Sequence, residues 1–480
     1  MSAAATHYIA GHWTDDATVA VSVNPARPSD EVLAYPEADA DSVDRAVIAA
    51  RESLRAWSST PAPARGRVLR RAAELVERER DRLALLLTRD VGKTLAESQA
   101  EIGRAVETFY FHSAQAWAAT GEQFASTKPA EIIQTVRRPL GTVGLITPFN
   151  FPLAITSWKL APALVHGNTV VWKPAEAAPA AAVELVRILE QAGLPAGVLN
   201  LVQGSAATGR AIVEHPGIDG ITFTGSVPVG KSIGAAAEAR GARYQGELGG
   251  HNVAIVFPDA DLDRAAREIA AGAMLGAGQK CTSTRRLIVN DAVADELTER
   301  LARVVRAFKV GDGQETGVDI GPVISDASRG RIRRAVDQAT QQGAVVVSGD
   351  GDTPVADDGY FVFPTVLDAV TPQMTIAQEE VFGPVVSILH VSDDEQAFAV
   401  ANDTRFGLSA SIFTSSEGRL RQAIEQLDVG VLHVNNQTTG AEPHVPFGAR
   451  RESASATAPP EQGQTARDFF TTIKTVYHEL

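Results

Sequence analysis

A chain of 480 residues, 44% hydrophobic and 21% charged, allows two to four domains of about 100–200 residues and a core that needs no disulfide or metal staple. Its 44 Lys and Arg against 58 Asp and Glu leave a formal charge of −14, which argues against a sequence-independent nucleic-acid binder. One cysteine excludes an intrachain disulfide and a cysteine-rich metal site; with no apolar run of about 18 residues and no secretory signal in residues 1–7, a cytoplasmic enzyme is expected.

The first third reads mainly helical. From Asp41, the residues Val43, Ala46, Val47, Ala50, Leu54 and Trp57 recur every three or four positions, the stripe of an amphipathic helix. A second helical pattern follows Pro63 to about Leu87, and a third spans 95–117. Between Gly141 and Glu247 the pattern changes to short apolar runs at 142–146, 169–172, 198–202 and 221–223, each bounded by Gly, Pro or Asn, with helical patterns such as 180–191 between them. Strands alternating with helices predict a parallel sheet covered on both faces, which binds ligands at the carboxyl ends of its strands. A second alternation follows: strands at 253–257, 286–289, 345–347, 385–389 and 431–434, and helices from Asp261 and over 293–308. The chain therefore divides into two α/β domains near Glu247. Residues 349–359 read as an acidic, Gly-rich surface loop, 453–464 as a connector and 469–477 as a final strand; no internal repeat is found.

Five motifs carry chemistry. Gly225-Ser226-Val227-Pro228-Val229-Gly230-Lys231-Ser232 fits a phosphate-binding loop, and Asp259 could end a Walker-B-like strand, which would make a nucleotide triphosphatase. Against that, Pro228 removes one N–H from the cradle, and the same residues suit a plain strand-to-helix turn facing another phosphate. Cys281 follows Leu275-Gly276-Ala277-Gly278 and adjoins Lys280. A lone cysteine is commonly a small buried hydrophobe, but this setting predicts an exposed, electropositive loop that lowers the thiol pKa and favours the thiolate. Glu247 stands before Gly249 and Gly250 at the domain junction, either a site carboxylate or a solvated one. Asn150, in Pro148-Phe149-Asn150-Phe151-Pro152, either caps a turn or offers a fixed donor to a developing oxyanion. Lys173-Pro174-Ala175-Glu176 either binds ribose and phosphate or forms an exposed ion pair.

Together with Phe223-Thr224-Gly225-Ser226, Gly278-Gln279-Lys280-Cys281 and Glu379-Glu380-Val381-Phe382-Gly383-Pro384, these segments resemble the aldehyde dehydrogenase superfamily, in its order and over nearly the whole chain. The resemblance implies an α/β fold: a Rossmann-like parallel-sheet cofactor domain from 1–117 and 140–247, an α/β catalytic domain over 248–450, and a small β oligomerisation element from 118–139 and 451–480, in a homodimer or homotetramer. It implies NAD(P)-dependent oxidation of an aldehyde to an acid, with no metal. Cys281 matches the nucleophile that forms a thiohemiacetal and then a thioester, Asn150 the oxyanion donor, and Glu247 the base that hydrolyses the thioester. Thr147, Pro148 and Phe149 match backbone and wall contacts of the cofactor, Lys173 and Glu176 its adenosine ribose, and Gly225 and Ser226 the turn under its pyrophosphate. Glu380 and Phe382 match the nicotinamide-ribose clamp, and Gly209, Phe223 and Leu248 further cofactor contacts. Glu176 would accept a free 2′-hydroxyl and repel a 2′-phosphate, so NAD is expected, with NADP as the other cofactor.

Within the superfamily the sequence is most similar to the 2-oxoglutarate-semialdehyde dehydrogenase group, through Cys281-Thr282-Ser283-Thr284 and Pro460-Glu461-Gln462-Gly463. Phe151, Trp158 and Phe447, with the apolar Leu275, instead imply an apolar tunnel for an aromatic or medium aliphatic aldehyde; Arg285 is the cation that keeps an acidic semialdehyde open. Alanines at 449, 454 and 456 replace the family's usual glycines, and His251 a common lysine. If any of those positions needs a left-handed backbone, the loop takes another path. A catalytically silent relative and an esterase acting through Cys281 without cofactor are the other readings.

Overall fold

The computed structural model describes residues 7–14, 20–349 and 358–479. Thr142–Ile146, Thr169–Lys173, Leu199–Leu201 and Gly220–Thr224 are buried at every residue, as continuous apolar strands are when helices cover both faces of a parallel sheet. They form one sheet in the order Arg243–Glu247, Gly220–Thr224, Thr142–Ile146, Thr169–Lys173, Leu199–Leu201, extended by the antiparallel hairpin Tyr8–Ile9 and His12–Trp13. The order reverses between Thr142–Ile146 and Gly220–Thr224, so their carboxyl ends diverge and open a crevice.

The second sheet runs Val345–Ser348, Thr365–Asp368, Val385–Val391, Thr284–Asn290, Asn252–Val256, Ser409–Phe413, Val431–Val434, and only the pairing of Val345–Ser348 is antiparallel. One continuous apolar core spans it and the helices Leu262–Met274 and Ala294–Arg306. The third sheet joins Thr471–Glu479 to Glu131–Pro139 along their full lengths, with Gln123–Phe124 on the far edge. Among the described residues no helix is long and apolar enough to cross a membrane, and no cluster of His, Cys, Asp and Glu could hold a metal ion.

Several elements depart from the sequence expectation. The N-terminal hairpin Ala20–Asn24 and Arg27–Tyr35 was hidden by its charges and prolines, because a mostly solvated ribbon has no apolar alternation to read. The helical pattern ending near Leu87 is two helices, Ala62–Arg78 and Arg80–Val91, broken at Glu79. Arg243–Glu247 is a strand without an apolar run, placed by its pairing with Gly220–Thr224. The last strand begins only at Thr471: Phe469 and Phe470 lie in the helical turn Ala466–Phe470, where both rings are buried. Of the loop expected at 349–359, residues 350–357 lie outside the described residues.

Candidate active site

After helix Leu262–Met274 the chain passes through three consecutive left-handed residues, Gly276, Ala277 and Gly278, at φ 69°, 52° and 62°. A Cβ at Gly278 would lie 2.1 Å from the Gly383 carbonyl oxygen, so only glycine fits there. This turn presents Cys281, whose carbonyl accepts the Asn252 side-chain amide at 2.7 Å. The thiol is half-buried rather than exposed. Burial, followed by the charges of Glu380 and Glu247, pushes its pKa up to about 12. The expected depression by Lys280 is thus not found, since desolvation and two carboxylates outweigh one neighbouring ammonium. Lys280 is itself half-buried, and burial holds its ammonium below the usual lysine value.

Asn150 stands across from this turn. Its Nδ2 donates to the Gln279 carbonyl at 2.7 Å, which leaves its second amide hydrogen free, and its buried Oδ1 has no partner. Its own carbonyl accepts Lys93 Nζ at 2.7 Å. Lys93 pairs with the fully buried Glu101, whose other oxygen accepts the N–H groups of Leu153 and Ala154 at 2.8 and 3.1 Å, at the start of helix Ala154–Val165. Lys93, Glu97 and Glu101 were not singled out from the sequence. The available signal was helical: Thr94 and Glu97 form a capping box, and Glu97, Glu101 and Arg104 repeat at helical spacing along one face of Leu95–Gln115.

Glu247 ends strand Arg243–Glu247. It is buried, its Oε2 has no partner, and its pKa lies well above the carboxylate range through burial and the charge of Glu461, opposed by Lys159. Lys159 and Glu461, 1% and 3% exposed, form a buried ion pair, and Lys159 also donates to Thr222 Oγ1 at 2.9 Å. Neither was singled out as a site residue from the sequence, because an ion pair between positions so distant in the chain has no local pattern. Lys159→Met leaves Glu461 charged and unpaired in the interior, and is expected to cost about 3–5 kcal/mol in urea unfolding. A loss under about 1 kcal/mol would show that the pair is not holding this region.

The altered tail packs directly on this strand. Leu248 N donates to the Ser453 carbonyl at 2.8 Å, Ser455 N to that of Gly246 at 2.9 Å, and Glu247 bridges Ala454. None of Ala449, Ala454 and Ala456 has a left-handed backbone; Arg451 takes that conformation, at φ 54°. His251 is buried against the Phe406 ring.

Cys281 opens into a cavity lined on its apolar side by Phe151, Ile155, Trp158 and Phe447. The rings of Trp158 and Phe447 pack 5.6 Å apart. Phe151, Trp158 and Phe447 thus share one cavity, whose wall also carries Lys93, Glu97, Glu101, Arg104 and Lys280. Arg285 does not supply the charge: it is buried and donates to the carbonyls of Gly278 and Gly383, away from the cavity.

At the crevice, Thr147 is buried and accepts Trp172 Nε1 at 2.9 Å, Pro148 is half-buried, and the ring of Phe149 meets that of Phe382 edge-on at 6.0 Å. Lys173 donates to the carbonyls of Pro174 and Gly204 at 2.7 and 2.8 Å, and burial brings its pKa down to about 8. Glu176 is exposed, and its charge opposes that fall without the two closing an ion pair. Gly209 lies beside the Lys173 side chain, where a Cβ would meet it at 3.6 Å. Phe223 and Leu248 are buried; the Phe223 ring packs on Gly225, and Leu248 fills the space next to Gly230.

Gly225 and Ser226 form a two-residue turn, and helix Val227–Ala239 begins at once without a side-chain cap, leaving its first N–H groups free to meet an anion. The phosphate cradle of a triphosphatase is therefore not formed. Asp259 is tied instead to Thr414, Ser415 and Arg419, which hold its pKa down at about 2. Glu380 is half-buried against Gly249 and accepts Gly250 N at 3.3 Å; desolvation of its carboxylate raises its pKa to about 7.

The family model described as the aldehyde dehydrogenase family matches residues 13–476. The chain belongs to the aldehyde dehydrogenase family. It is accordingly an oxidoreductase acting on aldehydes, and the triphosphatase reading falls. The chain is 40% identical over 476 residues to the alpha-ketoglutaric semialdehyde dehydrogenase of Bacillus subtilis, covering 98% of this chain and 97% of that one. It is 37% identical to the betaine aldehyde dehydrogenase of Sinorhizobium fredii, over 98% of this chain and 97% of the relative. Among solved structures, the NAD-dependent aldehyde dehydrogenase of Sinorhizobium meliloti superposes with a TM-score of 0.96 at 34% identity, covering 100% of this chain and 95% of that one.

Proposed function

We propose that this aldehyde dehydrogenase oxidises a small aldehyde to its acid with NAD, through Cys281, Asn150 and Glu247. The observation that carries the reading is the meeting of one thiol, one anchored amide with a free hydrogen and one buried carboxylate beside a crevice that fits a dinucleotide. The fit lies in the uncapped start of helix Val227–Ala239 for a pyrophosphate, exposed Glu176 for a ribose, and Glu380 near the thiol for a second ribose. When bound there, the dinucleotide supplies the hydride acceptor.

The protein's own groups divide the remaining work. Cys281 gives its proton to water and its Sγ adds to the aldehyde carbon, and the oxyanion meets the second Asn150 amide hydrogen and the Cys281 N–H. The Lys93–Glu101 pair fixes the Asn150 backbone, so the donor is set before substrate arrives. Once the thioester has formed, Glu247 takes a proton from water and the acid leaves. Burial and then the Glu461 charge raise the basicity of Glu247 for that step. We take residues 1–117 and 140–247 as the cofactor domain and 248–450 as the catalytic domain, and we assign association of copies to 118–139 and 451–480, which build the third sheet, where Ile473 and Tyr477 are exposed.

The test is the absorbance of reduced nicotinamide when protein and NAD meet acidic, aliphatic and aromatic aldehydes. Aldehyde-dependent reduction is expected. Cofactor binding without reduction would favour a silent relative, and ester hydrolysis without cofactor an esterase.

A further inference from the structure

The charges on the cavity wall are not equally satisfied. Lys93 is spent on Glu101 and the Asn150 carbonyl, and Arg104 on Glu107 and Glu442. Glu97 binds Thr94 N and Oγ1 through Oε2, at 3.0 and 3.1 Å, and sits in the first turn of helix Leu95–Gln115, where the free N–H groups stabilise its charge. Its Oε1 is buried and unpartnered. Lys280 is the exception among the cations: among the described residues its ammonium makes no hydrogen bond and closes no ion pair, and the Glu97 charge supports it only from a distance. Its chain lies over Gly276, where a Cβ would stand 2.8 Å from Lys280 Cε, 3.7 Å from Nζ and 3.8 Å from Glu97 Oε1. Ammonium and carboxylate thus flank one glycine of the cavity wall without closing on each other.

A half-buried, unpaired ammonium is costly unless an anion completes it. We propose that Lys280 is the specificity-determining residue of the aldehyde site, holding the carboxylate of a short ω-oxo acid whose aldehyde end reaches the adjacent Cys281. This rests on the aldehyde-oxidising reading above. The methylenes between the two ends pack on Phe151, Trp158 and Phe447, which explains why cationic and apolar residues share one cavity. A quaternary-ammonium aldehyde meets the unpaired Lys280 there, and an alkyl aldehyde leaves it unpaired, so both are poorer substrates.

The test compares the parent protein with Lys280→Met and Lys280→Arg on 5-oxopentanoate and pentanal, and measures glutarate binding by calorimetry. Lys280→Met is expected to reduce the preference for 5-oxopentanoate over pentanal about a hundredfold, mainly through KM, and to abolish glutarate binding; Lys280→Arg restores most of both. A preference left unchanged, or an equal fall for both aldehydes, overturns the proposal. So does glutarate that fails to bind the parent or binds parent and Lys280→Met alike. If no aldehyde is oxidised while glutarate binding still depends on Lys280, the anion site stands and the aldehyde-oxidising reading fails.

Discussion

Cys281→Ala is expected to lower kcat/KM for every aldehyde by about 10⁴–10⁶-fold, while NAD titrated by protein fluorescence binds as before. The loss is that large because the proposed mechanism makes the thiol the attacking atom and no second cysteine exists to replace it. Its state before cofactor arrives is equally testable. With a pKa of about 12, the thiol is neutral near pH 7, and its thiolate fraction rises about tenfold per pH unit up to that value. Alkylation by iodoacetamide should therefore climb steadily from pH 7 to about 9 without levelling off. Glu380, with a pKa near 7, becomes negative over the lower part of that range and raises the thiol further. Glu380→Gln should accordingly lower the thiol pKa and speed alkylation at about pH 8. A plateau near neutral pH in the parent protein would mean that the free thiol is already ionised, and that burial is not what controls it.

The candidate site positions stand out in the sequence because each sits in a short run of unusual residues at the end of a buried strand or at a glycine turn. Pro148 to Pro152 follow a strand whose every residue is buried, and Gly276 and Gly278 mark the left-handed turn before Cys281. The sense of a charge effect was not legible. Lys280 beside Cys281 suggested a low thiol pKa, but the sign is set by Glu380 and Glu247, which arrive from other elements, and by burial. The supporting layer was hidden for the same reason: Lys93 with Glu101, and Lys159 with Glu461, are built by tertiary contact between distant elements. Arg285 shows the reverse error. In the sequence it is an available cation, yet in the fold its guanidinium is consumed by backbone carbonyls that no periodicity reveals. The alanines of the tail were read as a disturbance because glycine is usual there, but the left-handed residue is Arg451, so they carry no strain.

Glu247→Gln should separate the two halves of the reaction. In the proposed mechanism hydride leaves before water attacks, so removing the base slows only the second half. Rapid mixing should show a burst of reduced cofactor approaching one equivalent per Cys281, followed by a steady rate lower by about 10²–10⁴-fold. The pH profile of the parent carries the sign of the buried charges. Glu247 works as a base only when ionised, and its pKa is raised, so steady turnover should fall as pH drops through a value well above the ordinary carboxylate range. Glu461→Gln removes the negative charge that raises Glu247 and leaves Lys159 uncompensated beside it. Both changes favour the ionised carboxylate, so the acid limb should move to lower pH. An acid limb that stays in place in Glu461→Gln would mean that another group limits turnover there. An absent burst in Glu247→Gln, with the steady rate unchanged, would take Glu247 out of the base role while leaving Cys281 and Asn150 in theirs.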